Sequence, residues 1–208
     1  MHLIHLIRSE LQMELSLVDL QKGNKQEFAR LVETYSKPIY NLAVRMLNNT
    51  QDAEDVLQTT FLKAFSNISR FEGRSSISTW LFRIATNEAL MLIRKTKPEI
   101  DLVGDDNEDE DIEEKLQLTD WCCLPESELL DTESQKELDQ AIRLLPEKLK
   151  IVFILRDMDG LSIHETSQVL NLTETAVKTR LLRARLNLRQ QLTEYFGERL
   201  SLRSDQNE

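Results

Sequence analysis

The chain has 208 residues, 40% of them hydrophobic, and a formal net charge of -10 from 36 acidic and 26 basic side chains. Five glycines and four prolines are too few for a turn-rich β fold, and no apolar run approaches the roughly 20 residues of a membrane span. Cys122 and Cys123 are the only cysteines; neighbouring cysteines rarely make a stabilising disulfide, so a reducing, cytoplasmic setting is expected. The opening stretch "MHLIHLIRSELQMEL" alternates apolar and polar residues and lacks a small-residue cleavage site, so it does not read as a secretory leader. Residues 1–14 are read as an N-terminal extension, with Met13 as an alternative start.

From residue 25 the pattern turns helical. Phe28, Leu31, Val32 and Tyr35 share one face, and Pro38 suits the first turn of a new helix continued by Ile39, Leu42, Ala43, Met46 and Leu47. After "NNTQ", Asp52 starts "DAEDVLQTTFLKAFSNI", with Ala53, Val56, Leu57, Phe61, Ala64 and Phe65 inward. Glu54, Asp55, Gln58 and Lys63 mark its polar face. The loop "SRFEGRSSIS" leads to a helix capped by Ser78 or Thr79, "WLFRIATNEALMLIRK". These elements predict a helical bundle within residues 15–97.

Two features there exceed a plain bundle. Arg70, Phe71 and Arg74 precede Trp80, so cations and π surfaces are interleaved, as unstacked bases require. Arg83, Asn87 and Arg94 then share a helix face. On composition alone, core aromatics and solvated arginines are the more frequent arrangement.

Residues 98–137 hold 16 acidic and two basic side chains, net -14. Self-repulsion and low hydrophobicity make this a poor core-former, so residues 98–133 are read as an acidic flexible linker. Cys122 and Cys123 beside Trp121 fit an apolar linker anchor better than a thiol sensor.

A second helical domain is expected over residues 134–195, followed by a tail at 196–208. Its first helix, Ser134 to Leu145, turns Leu138, Ala141, Ile142 and Leu145 inward; Pro146 opens the next, with Leu149, Val152, Phe153 and Leu155 inside and "DMDG" at its end. Ser162 and Glu165 spell a capping box before a short helix with Ile163, Val169 and Leu170. After the turn "NLT", Thr173 caps a last helix with Val177, Leu181, Ala184 and Leu188 inward. Short helix, three-residue turn and capped helix make helix-turn-helix spacing. Lys178, Thr179, Leu182, Arg183 and Arg185, with Arg180 on the flank, supply the side chains that major-groove reading needs. Screening confines exposed charge effects to about 8–10 Å, so an acidic chain can carry a basic face. A basic solvated helix is the plainer alternative, and the turn, the cap and the core stripe together tell against it.

The strings "DAEDVLQTTFLKAF", "RFEGRSSISTWLFRIATNEAL" and "LLPEKLKIVFILRDMDGLSIHETSQVLNLTETAVKTRLLRARLNLRQQL" resemble region 2 and region 4 of a sigma factor of bacterial RNA polymerase, of the extracytoplasmic-function (ECF, group IV) type. The resemblance covers roughly residues 15–97 and 134–193. It implies an all-α chain of two small helical domains, a region 2 bundle and a region 4 helix-turn-helix, joined by the acidic linker. It further implies core polymerase as partner, through the β′ clamp helices and the β flap, with promoter DNA and an anti-sigma factor. Asp55, Gln58 and Phe61 match the core-binding motif. Arg70, Phe71, Arg74, Ser78, Trp80, Arg83 and Asn87 match the part that captures and supports the melted minus-ten element. Lys178, Thr179, Arg180, Leu182, Arg183 and Arg185 fall on the minus-thirty-five reading helix. The implied function is promoter recognition, melting and initiation in response to a stress or envelope signal, with no catalytic residue, cofactor or metal and no membrane insertion. An acidic linker suits a channel built for nucleic acid, whose walls must be basic.

Two other classes stay open on the residues. A one-component helix-turn-helix regulator explains residues 162–192 but not the aromatic loop or "DAEDVLQ". An enzyme finds no Gly-rich phosphate loop, HExxH or plausible triad; His2 and His5 have helical spacing near a doubtful start, and His164 reads as a surface residue.

Overall fold

The computed structural model describes residues 15–96 and 132–204. The extension at 1–14, most of the acidic linker with Trp121, Cys122 and Cys123, and the final four residues lie outside the described residues. Among those described, every regular element is helical: α1 (Leu17–Gln21), α2 (Lys25–Leu47), α3 (Thr50–Asn67), α4 (Ile77–Thr96), α5 (Thr132–Leu144), α6 (Glu147–Phe153), α7 (Ile163–Leu170) and α8 (Glu174–Ser204). A 3-10 turn at Ile68–Arg70 and a wide π turn at Ile154–Met158 complete the path.

The chain divides into two compact units. One gathers α1–α4 with the segment Ile154–Glu174; the other gathers α5, α6 and α8 from Thr175 onward.

In the first unit α2, α3 and α4 pack against one another in pairs. Leu31, Ile39, Leu42 and Met46 of α2, Val56 and Phe61 of α3, and Leu81, Phe82 and Ile93 of α4 are buried. Asn24 caps α2, its side chain accepting from the amides of Gln26 and Glu27. The helix then runs unbroken through Pro38, where the sequence suggested a new start. The reason is the buried stripe, which passes straight through the proline. Packing on both sides outweighs an interior-proline cost of about 3 kcal/mol. The hydroxyls of Thr34 and Ser36 donate back to the carbonyls of Arg30 and Val32.

Two further starts differ from the sequence reading. Asn49, not Asp52, caps α3, accepting from the amides of Gln51 and Asp52. Ser76, not Ser78 or Thr79, caps α4: its Oγ accepts from Thr79 N at 3.1 Å. In both, an earlier side chain with a free acceptor reaches the orphan amides first.

In the second unit the buried positions are Ala141, Ile142 and Leu145, then Ile151, Val152 and Phe153, then Val177, Leu181, Ala184, Leu188 and Leu192. Lys150 is buried too, and its Nζ meets Glu147 Oε2 at 2.6 Å one turn away. Helix α8 reaches Ser204, beyond the expected end at residue 195. Of the inward residues read from sequence, Leu138 and Leu149 are half-buried.

Candidate nucleic-acid interface

Helix α1 sets the loop before α4. Ser16 N donates to Glu27 Oε1 at 2.7 Å, anchoring α1 to α2. Gln21 Nε2 then donates to the carbonyl of Phe71 at 2.7 Å. Gly73 takes a φ of 71°, a left-handed conformation that a side chain would strain. Phe71 is buried and its ring centroid lies 5.1 Å from that of Trp80. Phe71 therefore belongs to the support of the loop, whereas Trp80 keeps part of its surface exposed. Arg70 and Arg74 are exposed, Arg74 in a surface pair with Glu72.

Ser78, read from sequence as a DNA contact, is buried. It sits in the first turn of α4, with its Oγ 2.8 Å from Ser76 Oγ. Along α4, Arg83, Asn87, Met91 and Arg94 are all exposed. Their spacings of four, four and three put them on one face. Glu88, beside Asn87, is neutralised by Lys63 of α3 at 2.6 Å. The face thus keeps positive charge around an amide that can both donate and accept.

On α3, Asp55 and Gln58 are exposed and Phe61 is buried at 9% exposure. Phe61 belongs to the inward stripe with Ala53, Val56 and Ala64. Phe65, expected inside, is 49% exposed, and its ring meets Phe28 edge-on at 5.0 Å. Leu62 is 69% exposed. It lies seven residues after Asp55 and four after Gln58, so all three share a face. Sequence reasoning missed Leu62. The available signal was a large apolar residue placed among polar-face positions.

Ser162 and Glu165 form both reciprocal bonds of the capping box, and Asn171 ends α7 at φ 55°.

 On α8, Lys178 is exposed, and Leu182, Arg183 and Arg185 are half-buried. Thr179 and Arg180 are buried, against the outward placement read from the sequence. For Arg180 the reason is helical geometry: it follows Val177 by three residues and precedes Ala184 by four, which puts it on the buried stripe. Thr179 lies on another side of the helix and is covered there as well. His164 is exposed, with Nδ1 3.0 Å from Glu174 Oε1 and Nε2 3.1 Å from Gln168 Nε2. Among the described residues, no helix is long and apolar enough to cross a membrane.

Comparison with known proteins places two matches on these elements. Residues 31–99 match the Sigma-70 region 2 family and residues 135–188 match Sigma-70, region 4. The chain is 37% identical over 183 residues to the ECF RNA polymerase sigma factor SigW of Bacillus subtilis, covering 88% of this chain and 98% of that one. It is 34% identical over 169 residues to the ECF RNA polymerase sigma-E factor of Haemophilus influenzae, covering 80% and 87%. Two solved structures share the fold. One is CnrH in complex with the cytosolic domain of CnrY, with a TM-score of 0.62, 23% identity, and coverage of 86% of this chain and 95% of that one. The other is RpoE from Bartonella quintana with the anti-sigma factor NepR, at 0.60 and 21%, covering 81% and 98%.

Proposed function

The chain belongs to the ECF sigma factors of bacterial RNA polymerase, and from that membership we propose how its surfaces divide the work of initiation. Its function is that of a sigma factor in transcription initiation. Core polymerase docks on the exposed face of α3, through Asp55, Gln58 and Leu62, against the β′ clamp helices. Phe61 supports that face from beneath.

The minus-ten element meets the loop and the exposed face of α4. Arg70, Arg74 and Arg83 neutralise phosphate, Trp80 offers its free ring surface, and Asn87 reads one unstacked base. Phe71 and Ser78 hold the loop in shape. The minus-thirty-five element meets α8, where Lys178 and Arg183 address base edges and Arg185 and Leu182 flank them. Region 4 also contacts the β flap.

The observation that carries this reading is the exposed row Arg83, Asn87 and Arg94 on one side of a helix whose other side is buried. The reaction chemistry belongs to the polymerase, and the chain supplies no catalytic group, cofactor or metal. We place it in the cytoplasm, held by an anti-sigma factor until a stress or envelope signal releases it. The anti-sigma partner of the Bartonella quintana protein supports that class of partner.

The core-binding assignment is tested with Asp55→Arg combined with Gln58→Ala in the full chain. Both positions are exposed, so folding is retained while affinity for core polymerase falls. Unchanged affinity in the folded double variant would overturn the assignment.

A further inference from the structure

Helix α1 lies outside both family matches, which begin at residues 31 and 135, yet it ties the loop before α4 to the rest of the bundle. It packs on α2 and on the 3-10 turn at Ile68–Arg70. Both of its ends are fixed to α2. Ser16 N donates to Glu27 Oε1 at 2.7 Å, and Glu27 is 7% exposed and also accepts from Arg30. Asn24 N donates to Asp19 O at 3.0 Å, and Leu20 is 1% exposed. A helix of five residues has little stability of its own, so these contacts set its position.

That position is passed to the loop at two points. Gln21 Nε2 donates to Phe71 O at 2.7 Å, across 50 positions of chain. Leu17 Cδ2 lies 3.8 Å from where a side-chain carbon on Gly73 would stand. Phe71 N is used inside the 3-10 turn, donating to Ile68 O at 3.1 Å. Among the described residues, the Gln21 amide is then the one hydrogen bond that reaches residues 71–75 from another helix. The same stretch carries Arg74 and sets the Phe71 ring 5.1 Å from that of Trp80.

We propose that Gln21 is a positioning residue for minus-ten recognition. Its amide holds the Phe71 carbonyl, and through it the Phe71–Trp80 pair and Arg74, in the geometry that discriminates one base from another. The inference rests on the reading of this loop and α4 as the minus-ten surface. Phosphate contacts tolerate a displaced loop, because charge acts over about 8–10 Å. A base contact does not, because hydrogen bonds weaken steeply away from their preferred geometry. Loss of the strut therefore shows in selectivity before it shows in affinity. The ratio of held to displaced loop falls roughly two- to twelvefold, the factor a neutral hydrogen bond commands.

The test uses the full chain with core RNA polymerase and promoters randomised over the minus-ten element. Gln21→Met keeps the length of the side chain and removes the donor; Gln21→Lys keeps a donor of sufficient reach. The chain has two tryptophans, so Trp80 fluorescence in a Trp121→Phe background reports the loop without DNA. A thermal melt controls for folding. Gln21→Met should shift the Trp80 emission and lower discrimination at the minus-ten element roughly two- to twelvefold. Affinity for core polymerase and use of the minus-thirty-five element should be retained, and Gln21→Lys should return emission and discrimination toward the parent. Unchanged emission, or changed emission with unaltered discrimination, would overturn the strut. An equal loss in Gln21→Met and Gln21→Lys would overturn it too, by assigning the effect to packing rather than to the donor. Asn87→Ala separates this inference from the reading beneath it. If Asn87→Ala relaxes discrimination and Gln21→Met does not, the role of Gln21 falls alone; if neither does, the minus-ten surface lies elsewhere and takes the strut with it.

Discussion

Replacing Leu62 by serine removes the apolar centre of the proposed polymerase face. The residue is 69% exposed. Burying a whole leucine side chain is worth about 1.5–3 kcal/mol, so covering its exposed two-thirds in an interface contributes roughly 1–2 kcal/mol. That corresponds to a weakening of about five- to thirtyfold in Kd. The free protein gives up little, because the side chain covers little of its core; an exposed substitution changes stability by about 0.5 kcal/mol or less. The assay is a titration of core RNA polymerase into fluorescently labelled full chain, paired with a thermal melt of each protein. An unchanged Kd with an unchanged melt would show that the interface lies off this face of α3.

Asn87→Ala should relax preference at one position of the minus-ten element in transcription from randomised promoters, with the upstream element still used; preference unaltered at every position would move the base pocket elsewhere. Arg183→Ala should lower use of the correct minus-thirty-five element roughly ten- to a hundredfold, the worth of a well-placed guanine contact, measured by transcription from matched and mismatched promoters. Lys178→Ala should behave likewise, whereas Arg185→Ala should weaken all sequences alike and flatten the salt dependence. Deleting Asp101–Glu114 should raise duplex binding by the free chain at low salt, because the acidic segment repels DNA; equal affinities for the full and shortened chains in a titration at two salt concentrations would remove self-repulsion from the account.

Much of this architecture was legible because the signals were local. Apolar periodicity located α2, α3, α4 and α8, and the Ser162–Glu165 spelling located the start of α7 with its reciprocal cap. What failed was competition between signals. Pro38 reads as a helix start on its own, yet the stripe through Tyr35, Ile39 and Leu42 is continuous and packing holds the helix together. Phe61 and Phe65 sit four residues apart on one helix, and no periodicity says which of them neighbouring helices will cover. Arg180 shows the converse: its charge suggested an outer position, while its register puts it on the buried stripe. The contacts of Arg45 with Asp159 and of Thr79 with Glu165 join residues 114 and 86 positions apart. Nothing in either local sequence announces them.

The central claim is that this chain directs core polymerase to promoters by joining α3 contacts to the reading faces of α4 and α8. The most direct measurement is transcription in vitro from a genomic fragment library, with core polymerase alone and with the chain added, followed by mapping of every start site. A discrete set of chain-dependent starts is predicted, sharing two upstream elements at a fixed spacing, and lost with the Asp55→Arg and Gln58→Ala pair. No chain-dependent start, together with tight binding of the chain to duplex DNA without polymerase, would contradict the account and identify a one-component regulator instead.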